Sequence, residues 1–202
     1  ADTGAALQAL DRTGADALIW GEVTPGGMLD RESLTPLLVY RPSGPFAPYA
    51  WEGYAGRFDM PVAYALASAP INGRVVLPPL LSALANYGAG KVDVAFDTLG
   101  QLMDRYPAVA PALPRALRGN ILWARGAYPA AADEYRRALG SLSQAEDPQA
   151  AMLYNNLGAI LQDAGDVQAQ AAFDQAIAAL QGQDLGALRY NLGLQAERAG
   201  NL

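Results

Sequence analysis

The feature that most constrains the fold is a glycine that recurs at nearly regular spacing through the second half of the chain. Gly126, Gly165 and Gly200 each follow a helical stretch, at spacings of 39 and 35 residues. Another glycine lies seven residues before each of them; these are Gly119, Gly158 and Gly193. Repeats of this length are typical of stacked structural units, each too small to bury its apolar face alone.

The stretch after Gly126 adds small and aromatic residues at helical spacing, namely Tyr128, Ala131, Tyr135 and Ala138. Small residues allow two antiparallel helices to approach closely, and the aromatic rings fill the space toward the next unit. An earlier copy begins near Val76, with Gly90 lying 36 residues before Gly126. Its small residues are Ala83 and Ala95, its turn residue is Gly90, and its bulky residues are Val92, Leu99 and Leu102. Pro107 is at the terminating position.

This pattern resembles the tetratricopeptide repeat, a hairpin of two antiparallel helices that stacks into a right-handed array. The resemblance implies three full hairpins and the first helix of a fourth over residues 75–202. In the third copy Ala169, Phe173 and Ala176 each come one residue early after Gly165, which predicts a shorter turn. Residues 141–148 are expected to form a longer polar loop between the second and third hairpins.

Residues 1–74 have a different pattern. A helix is expected near Ala5–Leu10, followed by β-type runs at Ala17–Val23, Leu34–Arg41 and Phe58–Val62, and a turn at Asn72–Gly73. The first run resembles a small α/β module found ahead of helical repeats in some bacterial proteins, similar to the N-terminal domain of the TolB family. The matching residues are Gly14, Ala15, Asp16, Ile19, Gly21 and Val23. The resemblance implies an α+β fold overall, with the first strand of the module preceding Ala1.

Charge and composition restrict the function. The net charge is −6, which argues against a nucleic-acid partner because phosphate binding needs a concentrated basic face. Histidine and cysteine are absent, which excludes Ser-His-Asp and Cys-His nucleophile systems and imidazole or thiolate metal sites. No run of about 18 apolar residues exists to span a bilayer. The absence of cysteine is compatible with a cytoplasmic or a periplasmic protein.

Five residues are candidates for a partner-binding groove on the first helices of the hairpins: Tyr87, Asn120, Trp123, Asn156 and Asn191. A primary amide can donate a hydrogen bond to a peptide unit and accept one from it, whatever side chain the peptide residue carries. An aromatic ring can pack against an apolar side chain of the partner. The alternative is that the asparagines bond to the adjacent hairpin and the rings pack inside the protein. Asp133, Glu134, Asp163 and Asp166 are expected on solvated helix faces and turns.

Four further aromatic residues lie in a Pro/Gly-rich stretch, Phe46, Tyr49, Trp51 and Tyr54. They are expected to cover the boundary between the two parts of the chain, since exposing so many rings would favour aggregation. The alternative is that they form a contact surface.

These features predict a non-catalytic scaffold without a cofactor, whose concave helical groove binds a peptide or helix of a partner protein. The alternative is the sensor or regulatory region of a longer bacterial protein, in which the α/β module recognises a small ligand. Self-association through the C-terminal helix is also expected, because an uncapped end of a helical array presents apolar surface.

Overall fold

A computed structural model of the chain describes residues 3–15, 17–24, 33–40, 64–67, 70–107, 112–142, 148–180, 186–198 and 200. Within these ranges the chain forms eight helices and three strands. The helices are α1 (Thr3–Thr13), α2 (Pro70–Gly88), α3 (Val92–Arg105), α4 (Ala112–Ala124), α5 (Tyr128–Leu139), α6 (Pro148–Asp163), α7 (Ala169–Ala179) and α8 (Gly186–Arg198), and the strands are β1 (Ala17–Thr24), β2 (Ser33–Tyr40) and β3 (Tyr64–Ala67). The aromatic stretch at 46–54 and the expected strand at 58–62 lie outside the described residues.

The helices from α2 onward pack mainly with their neighbours in sequence, as the hairpins α2–α3, α4–α5 and α6–α7. Helix α4 contributes to two apolar clusters, one shared with α2 and α3 and the other with α5, α6 and α7. Each hairpin therefore buries its apolar surface against the next one, which is the packing of a helical repeat. Helix α8 packs on α6 and α7 at the end of this series.

The three hairpin turns share one hydrogen-bonding pattern around a glycine. At the second turn Gly126 has φ +73°, and the N–H of Ala127 donates to the carbonyl of Leu122 at 2.9 Å. This is the Schellman motif, which satisfies carbonyl groups at a helix end and requires a left-handed residue that glycine adopts without strain. Gly90 and Gly165, with φ +76° and +70°, make the equivalent turns.

A second glycine brings the two helices of a hairpin close together. A Cβ atom on Gly119 would lie 2.6 Å from the ring of Tyr135, and one on Gly158 would lie 2.6 Å from the ring of Phe173. These distances are shorter than any real carbon contact, so only glycine leaves room for the ring. We call this arrangement, a glycine of the first helix covered by an aromatic ring of the second, a glycine socket.

The connection in the third hairpin is longer than the sequence suggested. Residues 164–168 separate α6 from α7, whereas residues 125–127 separate α4 from α5. The prediction of a shorter turn is therefore wrong. The extra turn residues precede α7, and the first buried alanine, Ala169, coincides with the start of the helix.

The prediction of an α+β fold with an N-terminal α/β module is also wrong. Helices dominate the described residues, and the strands there form only a small meander in the order β1-β2-β3, in which both pairings are antiparallel. An α/β module would instead pair parallel strands through a crossover helix. The turn expected at Asn72–Gly73 does not form, since both residues lie inside α2.

Among the described residues, the structure contains no helix that is both long and apolar enough to cross a bilayer.

Candidate partner-binding surface of the helical array

The structure places all five predicted groove residues inside the array. Asn156 and Asn191 are fully buried, Tyr87 and Asn120 are 2% exposed, and Trp123 is 7% exposed. Their positions on the first helices of successive hairpins, α2, α4, α6 and α8, agree with the repeat pattern. The side chains, however, point into contacts between helices.

Four of these residues belong to one chain of buried hydrogen bonds. At its first end, Asn120 donates from Nδ2 to the hydroxyl oxygen of Tyr87 at 3.2 Å. The hydroxyl of Tyr135 donates to Asn120 Oδ1 and accepts from Asn156 Nδ2, the latter at 2.9 Å. These bonds connect helices α2, α4, α5 and α6.

The chain continues through Asn155 to the last helix. Asn155 donates from Nδ2 to Asn156 Oδ1 at 3.2 Å, and Asn191 donates from Nδ2 to Asn155 Oδ1 at 2.8 Å. Every bond runs in the same direction, from α8 toward α2, so each group polarises the next. We call the six residues Tyr87, Asn120, Tyr135, Asn155, Asn156 and Asn191 the polar spine.

The polar spine corresponds to the alternative that the sequence analysis left open for the asparagines, bonding to the adjacent hairpin. A buried amide without partners costs about 1–3 kcal/mol, so each bond selects the register in which neighbouring hairpins stack. The spine thereby links helices α2, α4, α5, α6 and α8 through buried hydrogen bonds. Whether these residues also contact a partner stays a prediction.

The sequence pattern predicts only a packing role for Tyr135 and indicates no role for Asn155. Tyr135 joins three helices because its ring fills the socket at Gly119 while its hydroxyl bonds to two asparagines. A signal for this role was present, since a buried tyrosine hydroxyl needs a hydrogen-bond partner and asparagines are the nearest candidates in the repeat. The identity of the partner depends on the stacking of hairpins, which the sequence pattern does not specify.

The spine ends at Asn191 with one acceptor unused. Asn191 Oδ1 is buried and accepts no hydrogen bond from the described residues. The equivalent oxygen in α6, Asn156 Oδ1, accepts from the residue before it, Asn155. In α8 the preceding residue is Tyr190, which has no amide to donate.

Trp123 lies outside the spine and joins the second hairpin to the third. Its indole Nε1 donates to Asp163 Oδ2 at 2.9 Å, at the end of α6. This bond satisfies the indole N–H of a buried ring, and Asp163 therefore has a structural contact, contrary to the solvated-face interpretation. The bond also fixes the spacing between α4 and α6.

Glu134 is a second acidic residue that the solvated-face interpretation misplaced. It is 8% exposed and forms ion pairs with two arginines of α4, to Arg115 Nη1 at 3.1 Å and to Arg118 Nε at 3.6 Å. The guanidinium of Arg118 also lies 4.3 Å from the ring centroid of Phe96 in α3, a cation–π contact. The charged cluster therefore fills the surface between the first and second hairpins.

The third hairpin has an open cleft of about 370 Å³ between α5, α6 and α7. Its floor is apolar, with Leu157 and Leu161 from α6. Its rim is polar, and Arg136 Nη2 donates across it to Gln168 Oε1 at 3.3 Å. The complete lining is Arg136, Tyr154, Leu157, Leu161, Gln168, Ala171, Ala172 and Gln175.

The cleft occupies positions that are charged in the preceding hairpin. When the two sequences are aligned at the sockets (Gly119 with Gly158, Tyr135 with Phe173), Arg115, Arg118 and Glu134 correspond to Tyr154, Leu157 and Ala172. The ion-paired cluster is thus replaced by two apolar residues and one small residue, all three of which line the cleft. The third hairpin therefore has an apolar depression at the place where charged side chains fill the surface of the second hairpin.

The described residues contain no cluster of three acidic, histidine or cysteine side chains that could hold a metal ion. Comparisons with models of protein families, with curated proteins and with solved structures found no match.

Proposed function

We propose that the protein is a non-catalytic scaffold of the tetratricopeptide type, whose helical array binds a segment of a partner protein. Two features support this function. The polar spine and the glycine sockets hold the hairpins in one arrangement, so little conformational entropy is lost on this side when a partner binds. The repeat packing also presents a surface that extends over several hairpins.

The cleft of the third hairpin is the observation that carries the proposal. Its apolar floor, formed by Leu157 and Leu161, suits an apolar side chain of the partner. Arg136 at its rim carries a positive charge, and its solvent-exposed ion pair with Asp133 (Nη1 to Oδ1, 3.2 Å) is weak enough to be exchanged for a carboxylate of the partner. The occupant is therefore a peptide segment with one or two apolar anchors and a carboxylate that pairs with Arg136.

A peptide-display selection on the purified chain tests this function. Enriched peptides are expected to carry an apolar residue near an acidic one, and to bind in solution when synthesised. The substitution Arg136→Glu should weaken that binding about tenfold, equivalent to about 1.4 kcal/mol. The matched control is Arg137→Glu, the adjacent exposed arginine of the same helix, which does not line the cleft; it should change affinity less than about twofold.

A steric substitution provides a second comparison. Ala171→Trp places a large ring at the cleft, whereas Ala178→Trp places the same ring at an exposed position of α7 away from it. The first should abolish binding of the selected peptides and the second should leave it unchanged. Equal effects of the two substitutions, or failure to select any peptide, would contradict the proposal.

A further inference from the structure

One wall of the cleft in the third hairpin is a single stripe of residues along α7. Ala171, Ala172 and Gln175 follow Gln168 at three, four and seven residues, and all four line the cleft. Residues at this spacing lie on one face of a helix, and Gln168, just before α7, already has helical backbone angles. Seven helical residues rise about 10 Å, so the two glutamines lie at opposite ends of the cleft with only alanine between them.

The two ends of the cleft differ in charge. At the first end, Arg136 Nη2 donates to Gln168 Oε1 at 3.3 Å. At the second end Tyr154 lies toward Gln175, because α6 and α7 run antiparallel as the two helices of one hairpin. The hydroxyl of Tyr154 and the amide of Gln175 make no hydrogen bond to another described residue. The cleft therefore has a cationic end and a neutral end, and the neutral end can both donate and accept hydrogen bonds.

The width of the cleft excludes a helix from its interior. A volume of about 370 Å³ over a length of about 10 Å gives a mean cross-section of about 35 Å². A helix with its side chains is about 10 Å wide, so its cross-section is more than twice as large. An extended chain, which lies about 5 Å from its neighbour in a sheet, fits the cleft lengthwise. A helix would rest on the rim and insert only side chains.

The polar groups at the neutral end favour an extended chain for a separate reason. The backbone N–H and C=O groups of a helix are already paired within the helix, whereas those of an extended segment need partners. A primary amide such as that of Gln175 can satisfy one group of each kind. A helix on the rim would instead cover Gln175 and Tyr154 without bonding to them, which removes their hydration and weakens binding.

We infer that the cleft binds its peptide as an extended segment of about three residues, an inference that rests on the proposed function. An acidic side chain of the segment pairs with Arg136 at the cationic end. The next side chain on the same face lies on Leu157 and Leu161, and the backbone bonds to Gln175 at the neutral end. Because side chains of an extended chain alternate between two faces, exactly one residue separates the acidic position from the apolar one.

Two synthetic peptide libraries of equal composition test this spacing on the complete chain. In the first library one variable residue separates a fixed glutamate from a fixed leucine, which suits an extended segment. In the second library three variable residues separate them, which places both side chains on one face of a helix. Binders are expected from the first library, and Arg136→Glu should weaken them about tenfold.

A substitution at the neutral end tests the backbone contact. Gln175→Ala should weaken the best peptide of the first library about fivefold, since it removes a hydrogen bond to the backbone and leaves the apolar floor intact. The matched control is Gln170→Ala, an exposed glutamine of the same helix whose amide bonds to Asp174 at 2.8 Å and does not line the cleft. The control should change affinity less than about twofold.

The outcomes separate this inference from the proposed function. If neither library yields a binder, the proposed function is contradicted and the inference with it. If peptides bind and Arg136→Glu weakens them, the proposed function is supported. In that case, binders that come only from the second library, or binders that Gln175→Ala affects no more than Gln170→Ala, overturn the extended conformation alone.

Discussion

The hairpins α4–α5 and α6–α7 both close with an aromatic ring on a glycine, but Tyr135 carries a hydroxyl group and Phe173 does not. In the second hairpin the hydroxyl continues the polar spine to α6. In the third hairpin Phe173 has no hydroxyl to continue the spine. The connection from α6 to α8 is made instead by Asn155, which accepts a hydrogen bond from Asn191. The comparison separates two requirements: the ring is needed for packing, and the polar group is needed so that buried amides are satisfied.

The same two hairpins differ at their surfaces. The second is filled by the ion pairs of Glu134 with Arg115 and Arg118, and the third leaves the cleft above Leu157. One backbone arrangement therefore supports a closed, charged surface in one hairpin and an open, apolar one in the next. The repeat determines where helices lie, and single residue differences within it decide whether the surface of a hairpin is filled or open.

The largest effect is expected where a socket is overfilled. Gly158→Ala should destabilise the protein by about 3 kcal/mol, because the new methyl group meets the fully buried ring of Phe173. Gly119→Ala should destabilise the protein by a similar amount, because its methyl group meets the ring of Tyr135. Gly193→Ala is the control and should be neutral or stabilising by up to about 1 kcal/mol, since alanine favours helix and nothing described lies near.

Urea unfolding of the three alanine variants measures these differences. Equal losses of stability in Gly158→Ala and Gly193→Ala would show that the ring of Phe173 does not restrict the residue at position 158.

An intermediate loss of stability is expected when Tyr135 of the second hairpin is replaced by phenylalanine, the residue type that covers the glycine of the third hairpin. Tyr135→Phe keeps the ring but removes the donor to Asn120 and the acceptor for Asn156, so stability should fall by about 2 kcal/mol. Tyr128→Phe is the control, because this half-buried tyrosine of the same helix has no side-chain hydrogen bond within the described residues, and its effect should stay within about 0.5 kcal/mol. Thermal unfolding checks both variants, and a loss for Tyr135→Phe no larger than that of the control would remove the polar spine as a source of stability.

The smallest effect is expected at the charged surface of the second hairpin. Glu134→Gln should cost about 1 kcal/mol, because the carboxylate is nearly buried while its arginine partners reach solvent. Asp133, at the adjacent exposed position, forms an ion pair with Arg136 of its own helix, and Asp133→Asn should change stability by less than about 0.5 kcal/mol. Chemical unfolding at low salt compares the two, and equal values would mean that burial does not strengthen the ion pair of Glu134.

The sequence was informative where one residue type has one physical role. Gly90, Gly126 and Gly165 marked the turns, because a left-handed residue at a helix end is best supplied by glycine. The recurrence of Gly119 and Gly158 marked the close approach of helices, because no other residue leaves space for a ring. These positions were sufficient to predict the hairpins.

The candidate site was less predictable, because the direction of a side chain depends on how hairpins stack. Asn155 and Asn156 are adjacent, and one residue step turns the helix by about 100°, so the two amides face different neighbours. Which neighbour each amide meets depends on how the hairpins stack. The antiparallel sheet was equally inaccessible from local patterns, since an apolar run predicts a strand but not its partner or its direction.

By itself, the sequence determined the spacing of the repeat, the glycine turns and the close approach of helices at Gly119 and Gly158, since each follows from local backbone geometry and side-chain volume. The packing of the Tyr135 and Phe173 rings on the glycines of their own hairpins was seen only in the tertiary structure, because the sequence pattern predicted that the rings would face the next hairpin. The tertiary structure alone decided that the predicted groove asparagines form a buried spine, that Glu134 is enclosed by arginines and that the third hairpin is open. The bonds between helices on which the spine and the Glu134 cluster depend join residues 15 to 36 positions apart, and only the packing of whole hairpins sets such distances.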